Sequence, residues 1–174
     1  IAHVAGFRPV KNHTELIGAV KLLKERGYNV KLSLYGDGEE RARIEQCIVQ
    51  NQLQESVILY GFCDNVAPYL HESDLFVLPS LYEGISLSIA EAMGTGLPVV
   101  ASNVGGNPDM ITDVEDGLLC EPVAESIAAK IAMLIDDDEL RSRLGKKATQ
   151  SVERFSATSM LDGYLSVYKS VVKV

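Results

Sequence analysis

The sequence predicts an α/β fold, a three-layer sandwich built on a mainly parallel sheet of about six strands. Short apolar segments alternate along the chain with segments of helical periodicity, a pattern typical of parallel strands joined by helices. Residues 75–78 and 98–101 are apolar throughout and rich in branched side chains, as expected of strands buried on both faces. Several strands end in polar, glycine-containing loops. In open α/β sheets such loops lie at the carboxyl edge, where ligands bind.

The strands predicted in chain order cover residues 1–5, 30–35, 57–60, 75–78 and 98–101. The predicted helices cover 14–26, 39–52, 64–71, a segment from about residue 86, a short turn containing Pro108, and then 123–135 and 138–153. The first helix has its apolar residues on one face and Gly27 as its stop signal. Asp64 is predicted to cap the helix that ends at His71.

Size and composition limit the function. With 174 residues the chain is long enough for one domain with a substantial core. Its net charge of −8 argues against nucleic acid as a main partner, so any phosphate site must be local. No apolar run has bilayer length, and no signal peptide is evident. The three cysteines lack metal-ligand spacing, which favours reduced thiols and a cytoplasmic location.

The loop between residues 78 and 87 is the first candidate site. Gly84 permits a tight turn and the close approach of a ligand. The amides of Ile85, Ser86 and Leu87 would lie at the start of the next helix, where N–H groups lack partners and attract anions. Glu83 adds acceptor oxygens. A sugar phosphate suits both groups, because its hydroxyls donate to the carboxylate and its phosphate binds the amides. The alternative is a solvated loop carboxylate.

Glu91 lies eight residues after Glu83. If the helix began at Ser88, Glu91 could complete a capping box with that serine. If the helix begins near Ser86, Glu91 lies in the second turn and cannot cap. The sequence favours the second interpretation.

A second loop, after the first strand, carries Arg8 and Lys11. Arginine binds pyrophosphate with a two-pronged fork and lysine binds it as a point charge, so this pair suits a diphosphate. Two solvated loop residues are the alternative.

The run E-G-I-S-L-S-I-A-E at 83–91, followed by A-M-G-T-G-L-P-V-V-A-S, resembles the EX7E signature of retaining GT-B glycosyltransferases. More narrowly, it resembles the family-4 (group 1) enzymes that use nucleotide-sugar donors. The likeness extends from His3 to Tyr168. It includes a G-G-x-P-E-like segment that ends in Asp109 and a D-G-x-N-G-L-L-V-like strand at 116–120. The implied fold is the Rossmann-like C-terminal, donor-binding domain of a GT-B enzyme.

The resemblance implies a role for each site residue. Lys11, with Arg8, would offset the charge of the diphosphate and stabilise the departing nucleotide. The usual family arginine corresponds to Gly6, and Arg8 is two residues later. Glu83 would accept hydrogen bonds from sugar hydroxyls near the reacting face, and Glu91 would accept them from the ribose. The remaining donor-binding positions are the backbone of Gly6, Gly36, Phe62, Cys63, Gly84, Ile85, Ser86 and Leu87, with Phe62 either a core residue or a wall of the base pocket.

The implied function is the donor-binding half of a hexosyl-type glycosyltransferase acting on a glycan or lipid acceptor, without a metal or cofactor. UDP is the most frequent donor carrier in this group. The chain opens within a strand, so we expect residues 1–174 to be a fragment without its N-terminal acceptor domain, towards which the final helix would cross. Such a fragment would bind a nucleotide sugar and transfer nothing.

Two other functions remain open from the sequence. One is a non-catalytic nucleotide-sugar module with a scaffold or regulatory role, which the displaced Arg8 favours and the retained Lys11, Glu83 and Glu91 oppose. The other is a GT-B-like epimerase. The location is predicted to be cytoplasmic, with peripheral attachment to the inner face of a membrane through the missing domain as an open alternative.

Overall fold

The computed structural model describes residues 1–172 and contains one six-stranded sheet with helices on both faces. The strands are β1 (Ala2–Val4), β2 (Leu32–Tyr35), β3 (Val57–Gly61), β4 (Phe76–Leu78), β5 (Val99–Ser102) and β6 (Leu118–Cys120). All neighbouring pairs are parallel. The predicted α/β fold and sheet are therefore confirmed.

The strand order is β3-β2-β1-β4-β5-β6. The chain starts in the middle of the sheet, runs outward to β3, and then returns to lay β4 beside β1 before continuing outward to β6. The loops that leave β1 and β4 consequently diverge at the centre of the carboxyl edge. Open α/β sheets bind ligands in the crevice at such a switch point.

The helices are α1 (His13–Glu25), α2 (Arg41–Gln50), α3 (Ala67–His71), α4 (Leu87–Gly94), α5 (Asn107–Met110), α6 (Ala124–Asp136), α7 (Asp138–Ser151) and α8 (Ala157–Val171). Two 3₁₀ turns, Pro9–Lys11 and Val152–Phe155, precede α1 and α8. Most predicted boundaries lie within two residues of these. The predicted helix over 138–153 ends at Ser151 and continues as the second 3₁₀ turn.

Two apolar cores lie on opposite faces of the sheet, and β4 shows how one strand serves both. Val77 belongs to the core that α1, α2 and α6 cover, whereas Phe76 and Leu78 belong to the core that includes α4 residues. Successive side chains of a strand point to opposite faces, so an apolar strand contributes to both layers. This explains why β4 lacks polar alternation.

Two capping expectations have different outcomes. Ser86 caps α4, since its hydroxyl accepts a hydrogen bond from the Ile89 N–H at 3.4 Å. The alternative of a capping box between Ser88 and Glu91 is therefore wrong, and the helix start near Ser86, which the sequence favoured, is confirmed. Asp64 as the cap of α3 is also wrong, because Asn65 Oδ1 accepts from the Ala67 N–H at 3.1 Å.

Helix α8 has no buried residue, although one side of it is strongly apolar. Its exposed apolar side chains include Met160, Leu161, Tyr164, Leu165 and Tyr168. None of the helices in the described part of the chain is long and apolar enough to cross a bilayer.

Candidate functional site

The two loops at the switch point contact each other directly. The Leu81 N–H donates to Val10 O at 2.8 Å. The side-chain amide of Asn12 donates to Pro79 O at 3.0 Å and to Pro122 O at 2.9 Å. Asn12 adopts the left-handed conformation (φ 59°, ψ 38°), which asparagine tolerates better than most residues. One residue thus ends the 3₁₀ turn, starts α1 and fastens the loop after β1 to the loop after β4.

Lys11 and Glu83 form an ion pair between these loops. Lys11 Nζ lies 2.6 Å from Glu83 Oε1, with 22% of the lysine side chain and 9% of the glutamate side chain exposed. A buried charge that lost its partner would be costly, so removing either side chain should be unfavourable for the other. Lys11 keeps further N–H donors for a ligand, since an ammonium has three. The structure thus brings Lys11 and Glu83, two candidate site residues from different loops, into direct contact.

Behind this pair, His3 and His13 form a buried contact. His3 Nδ1 lies 2.8 Å from Val77 O, and its Nε2 lies 3.2 Å from His13 Nε2. A carbonyl oxygen only accepts, so His3 carries its proton on Nδ1, and His13 must donate from Nε2. Burial lowers the pKa of His3 to about 4. Burial, followed by the charges of His3 and Lys11, lowers the pKa of His13 to about 3.

Residues 84–86, which we call the elbow, follow Glu83, and their main-chain N–H groups differ in whether they have a hydrogen-bond partner. Within residues 1–172, the Gly84 and Ile85 N–H groups donate to no protein group. The Ser86 N–H instead donates to Met110 Sδ at 3.2 Å, and the Ser86 hydroxyl caps α4. The Ser86 N–H and hydroxyl are thus engaged within the protein, whereas the Leu87 N–H, like those of Gly84 and Ile85, donates to no group of the described residues.

The glycine pair Gly105-Gly106 packs against the main chain of Glu83 and Gly84. The Gly106 N–H donates to Glu83 O at 3.0 Å. A Cβ on Gly105, whose φ is 52°, would overlap Glu83 O, and a Cβ on Gly106 would overlap Gly84 O. Glycine is therefore required at these positions by the close approach of two backbones.

A cleft of about 310 Å³ lies at the carboxyl ends of β1, β2 and β3. Gly6, Gly36, Phe62 and Cys63 all line it, together with Tyr35 and Val66. Phe62 is 75% exposed, so its alternative as a core residue is wrong and it forms part of the cleft wall. Gly36 has φ 143°, and a Cβ there would overlap Ala5 O. This contact between strand exits, rather than a ligand, already requires glycine.

Other predicted residues lie elsewhere. Glu91 and Leu87 are exposed on α4 and line a separate depression of about 330 Å³, together with Val152, Glu153 and Phe155. Arg8 is exposed at the start of the 3₁₀ turn and makes no ion pair within residues 1–172. The structure thus brings Lys11 and Glu83 into contact, whereas Glu91 lines a different depression. No three His, Cys, Asp or Glu side chains of the described residues are grouped to hold a metal ion.

Some polar residues of the site have no signal in the sequence. Ser80 donates to Glu83 Oε1 at 2.6 Å and is fully buried. The pairing of His3 with His13 joins a strand to a helix start, and its spacing matches no recognised motif.

Comparison with known proteins identifies relatives of this chain. The sequence profile of the family described as glycosyl transferases group 1 matches residues 1–151. The chain is 34% identical over 177 residues to N-acetyl-α-D-glucosaminyl L-malate synthase of Bacillus anthracis, covering 99% of this chain and 46% of that protein. This chain thus spans about half the length of that relative.

Two solved structures have the same fold. One is a variant of Staphylococcus aureus TarM in complex with fondaparinux, α-GlcNAc-glycerol and UDP, with a TM-score of 0.88 and 32% identity over 96% of this chain and 34% of that one. The other is the C-terminal domain of a group 1 glycosyl transferase family protein, LpcC of Francisella tularensis, with a TM-score of 0.77 and 29% identity over 87% of this chain and 83% of that one. The chain therefore belongs to the group 1 glycosyl transferases, the GT-B family that its 83–91 motif resembles.

Proposed function

We propose that residues 1–174 form the donor-binding half of a retaining glycosyltransferase that takes a hexosyl-type sugar from UDP. The observation that carries this proposal is the Lys11–Glu83 ion pair at the switch point, beside the free amides of Gly84 and Ile85. Lys11 and the two amides offer positive charge and N–H donors, and the Glu83 carboxylate offers acceptor oxygens. This arrangement suits a ligand in which a phosphate adjoins a hydroxyl-rich ring.

In this proposal the diphosphate binds Lys11 and the amides of Gly84 and Ile85. Negative charge grows on the nucleotide as the sugar departs, and fixed donors aimed at that charge stabilise the transition state. Arg8 lies in the same loop with an exposed side chain, so it supplies a second cation. These local charges are needed because the chain as a whole carries a net charge of −8.

The base would occupy the cleft of about 310 Å³ lined by Gly6, Gly36, Phe62 and Cys63. The exposed Phe62 ring offers an apolar face for the base, and backbone groups of the loop can bind its polar edge. The presence of UDP in the TarM complex supports uracil as the base. Glu91 is proposed to bind the ribose hydroxyls from the second turn of α4.

The sugar would lie against Glu83, whose carboxylate accepts hydrogen bonds from its hydroxyls. The name of the Bacillus anthracis relative and the TarM ligand both contain N-acetylglucosamine, which makes UDP-N-acetylglucosamine the first donor to test. Transfer would require an acceptor domain. The exposed apolar side of α8 supports the expectation that such a domain packs there and that this chain alone binds donor without turnover.

A calorimetric panel of UDP, GDP and ADP tests the nucleotide assignment. We expect UDP to bind most tightly. Tighter binding of GDP or ADP would contradict uracil recognition only, whereas absence of binding by all three would contradict the donor site itself.

A further inference from the structure

We propose that Ser80 is a positioning residue that orients the Glu83 carboxylate towards the donor sugar. This inference rests on the proposed function and assigns a role to a side chain outside the ligand-binding groups named above. Ser80 lies two residues after the end of β4 and is fully buried. It has no path to a ligand except through Glu83.

Within the described residues, the hydrogen bonds of the Glu83 carboxylate are all made by one of its two oxygens. Ser80 Oγ donates to Oε1 at 2.6 Å, and Lys11 Nζ donates to the same atom at 2.6 Å. Oε2 accepts no hydrogen bond from the described residues. Among these residues, Asn107 Oδ1 is the one fully buried side-chain N or O atom without a partner, so Oε2 retains some solvent access. The carboxylate therefore has one anchored oxygen and one accessible oxygen.

Ser80 is itself held in place by neighbouring strands. Its carbonyl oxygen accepts a hydrogen bond from the Ser102 hydroxyl, at the end of β5. The Ser102 carbonyl in turn accepts from Asn107 Nδ2 at 2.9 Å. Ser102 and Asn107 are fully buried as well. The main chain of Ser80 is thus held by a buried hydrogen-bond network, and its hydroxyl donates to Glu83 from a fixed backbone position.

An ionised carboxylate with no fixed partner can rotate and present either oxygen. Anchoring Oε1 at two donors fixes the direction in which the Oε2 lone pairs point. Such preorganisation reduces the ordering that binding must otherwise impose on the side chain. The expected consequence concerns the sugar part of the donor and leaves the nucleotide part unaffected.

The test compares UDP with a UDP-sugar in calorimetry of this chain. We define the sugar ratio as the Kd of UDP divided by the Kd of the tighter ligand among UDP-glucose and UDP-N-acetylglucosamine. We expect a sugar ratio well above one for the wild type. Ser80→Ala should reduce it about fivefold, the order expected for losing one ordinary hydrogen bond because the effect on the sugar is indirect, while the Kd of UDP changes less than about twofold.

Ser102→Ala is the matched control. It removes a hydroxyl of the same size from the same buried network, but that hydroxyl contacts the main chain of Ser80 and not the Glu83 carboxylate. It should lower the melting temperature and keep the sugar ratio. Should Ser80→Ala fail to fold, Ser80→Cys keeps the volume and replaces the hydroxyl with a weak donor, so the sugar ratio should still fall.

An unchanged sugar ratio in the Ser80 variants would overturn the inference, as would an equal fall in Ser102→Ala. A wild-type sugar ratio of one would also overturn it, because Glu83 would then make no productive contact with the sugar. UDP binding in any of these cases would leave the proposed nucleotide site standing. Absence of UDP binding by the wild type would refute the proposed function, and this inference with it.

Discussion

Lys11 is the residue whose charge the account depends on most. The carboxylate of its partner Glu83 would repel the diphosphate of the donor, and the positive charge of Lys11 offsets that repulsion. Lys11→Met should weaken UDP binding about tenfold or more, as expected for losing a charge-assisted contact, and leave uridine binding unchanged. Calorimetry with both ligands measures this difference.

Lys21→Met is the control for Lys11, since it removes an α1 lysine whose nearest acid is Glu25 at 4.0 Å. That variant should bind UDP like the wild type. Equal losses for UDP and uridine in Lys11→Met would show that Lys11 supports the fold rather than the phosphate.

Glu91 carries the proposed ribose contact, although it lines a different depression from the base cleft. Its exposed carboxylate should discriminate between UDP and 2′,3′-dideoxy-UDP, and Glu91→Ala should abolish that discrimination by weakening UDP binding about tenfold. Glu153→Ala, which removes a second carboxylate of the same depression, should retain it. If Glu91→Ala leaves UDP affinity unchanged, the ribose assignment is wrong.

The buried pair His3 and His13 makes stability depend on pH. Their pKa values are about 4 and about 3 in the folded chain, below the ordinary value of 6.5, so the unfolded chain binds more protons between these limits. Their contribution is fully present above pH 6.5 and is lost progressively as the pH falls towards about 4 for His3 and about 3 for His13. Chemical denaturation should show a loss on the order of 2 kcal/mol per histidine between pH 6.5 and 4.5.

Carboxylates also titrate in this range, so the histidine effect needs a comparison. The double variant His3→Gln and His13→Gln should lose less stability than the wild type over the same pH interval. Parallel pH profiles for the two proteins would contradict the tautomer and burial assigned to the pair.

At the scale of elements, the loop over Gly105-Gly106 is as important as the loop it supports. Gly105→Ala would force a side chain into Glu83 O at a positive φ of 52°. We expect a loss of about 2 kcal/mol or more in the free energy of unfolding, with weaker UDP binding, because the elbow must move. Denaturant unfolding and calorimetry measure the two effects.

The control is Gly94→Ala in α4, where a Cβ would meet no atom within 4 Å. Gly94 is the last residue of α4 and has no positive φ, so alanine fits there without strain, and the smaller conformational freedom of the unfolded chain should stabilise this variant by roughly 0.4–1 kcal/mol. If Gly105→Ala behaved like Gly94→Ala, the close packing of the two loops would be refuted.

The strands and helices could be predicted because each depends on local periodicity. The apolar run 75–78 indicated an interior strand, and β4 lies beside β1 in the middle of the sheet. That α3 starts after Val66 without a side-chain cap could not be predicted, because backbone geometry decides whether a polar side chain near a helix start reaches an N–H group. The reason for glycine at position 36 could not be predicted either, because a Cβ there would overlap the main-chain oxygen of Ala5, a residue distant in sequence.

The candidate site was predictable where a motif joined residue type to spacing, as for Glu83, or where a loop cation followed a strand, as for Lys11. Ser80 and the His3–His13 contact could not be predicted. Their roles depend on which strand adjoins which, and hydroxyl or imidazole orientation is set by tertiary contacts. The sequence therefore indicates the groups proposed to bind a ligand but not the buried side chains that contact them.

For the whole molecule, the parallel sheet and its switch point place a cation, a carboxylate and two free amides at one edge of a strongly acidic chain. The exposed apolar side of α8 and the partial coverage of the relatives agree with a function completed by further polypeptide. The part of the reaction that we propose for this chain is recognition of the donor and stabilisation of its leaving group.

A crystal structure of this chain with UDP tests the central claim most directly. We expect the diphosphate within hydrogen-bonding distance of Lys11 Nζ and of the Gly84 and Ile85 amides, with uracil in the cleft beside Phe62. A diphosphate bound elsewhere, with Lys11 paired to Glu83 alone, would contradict the account.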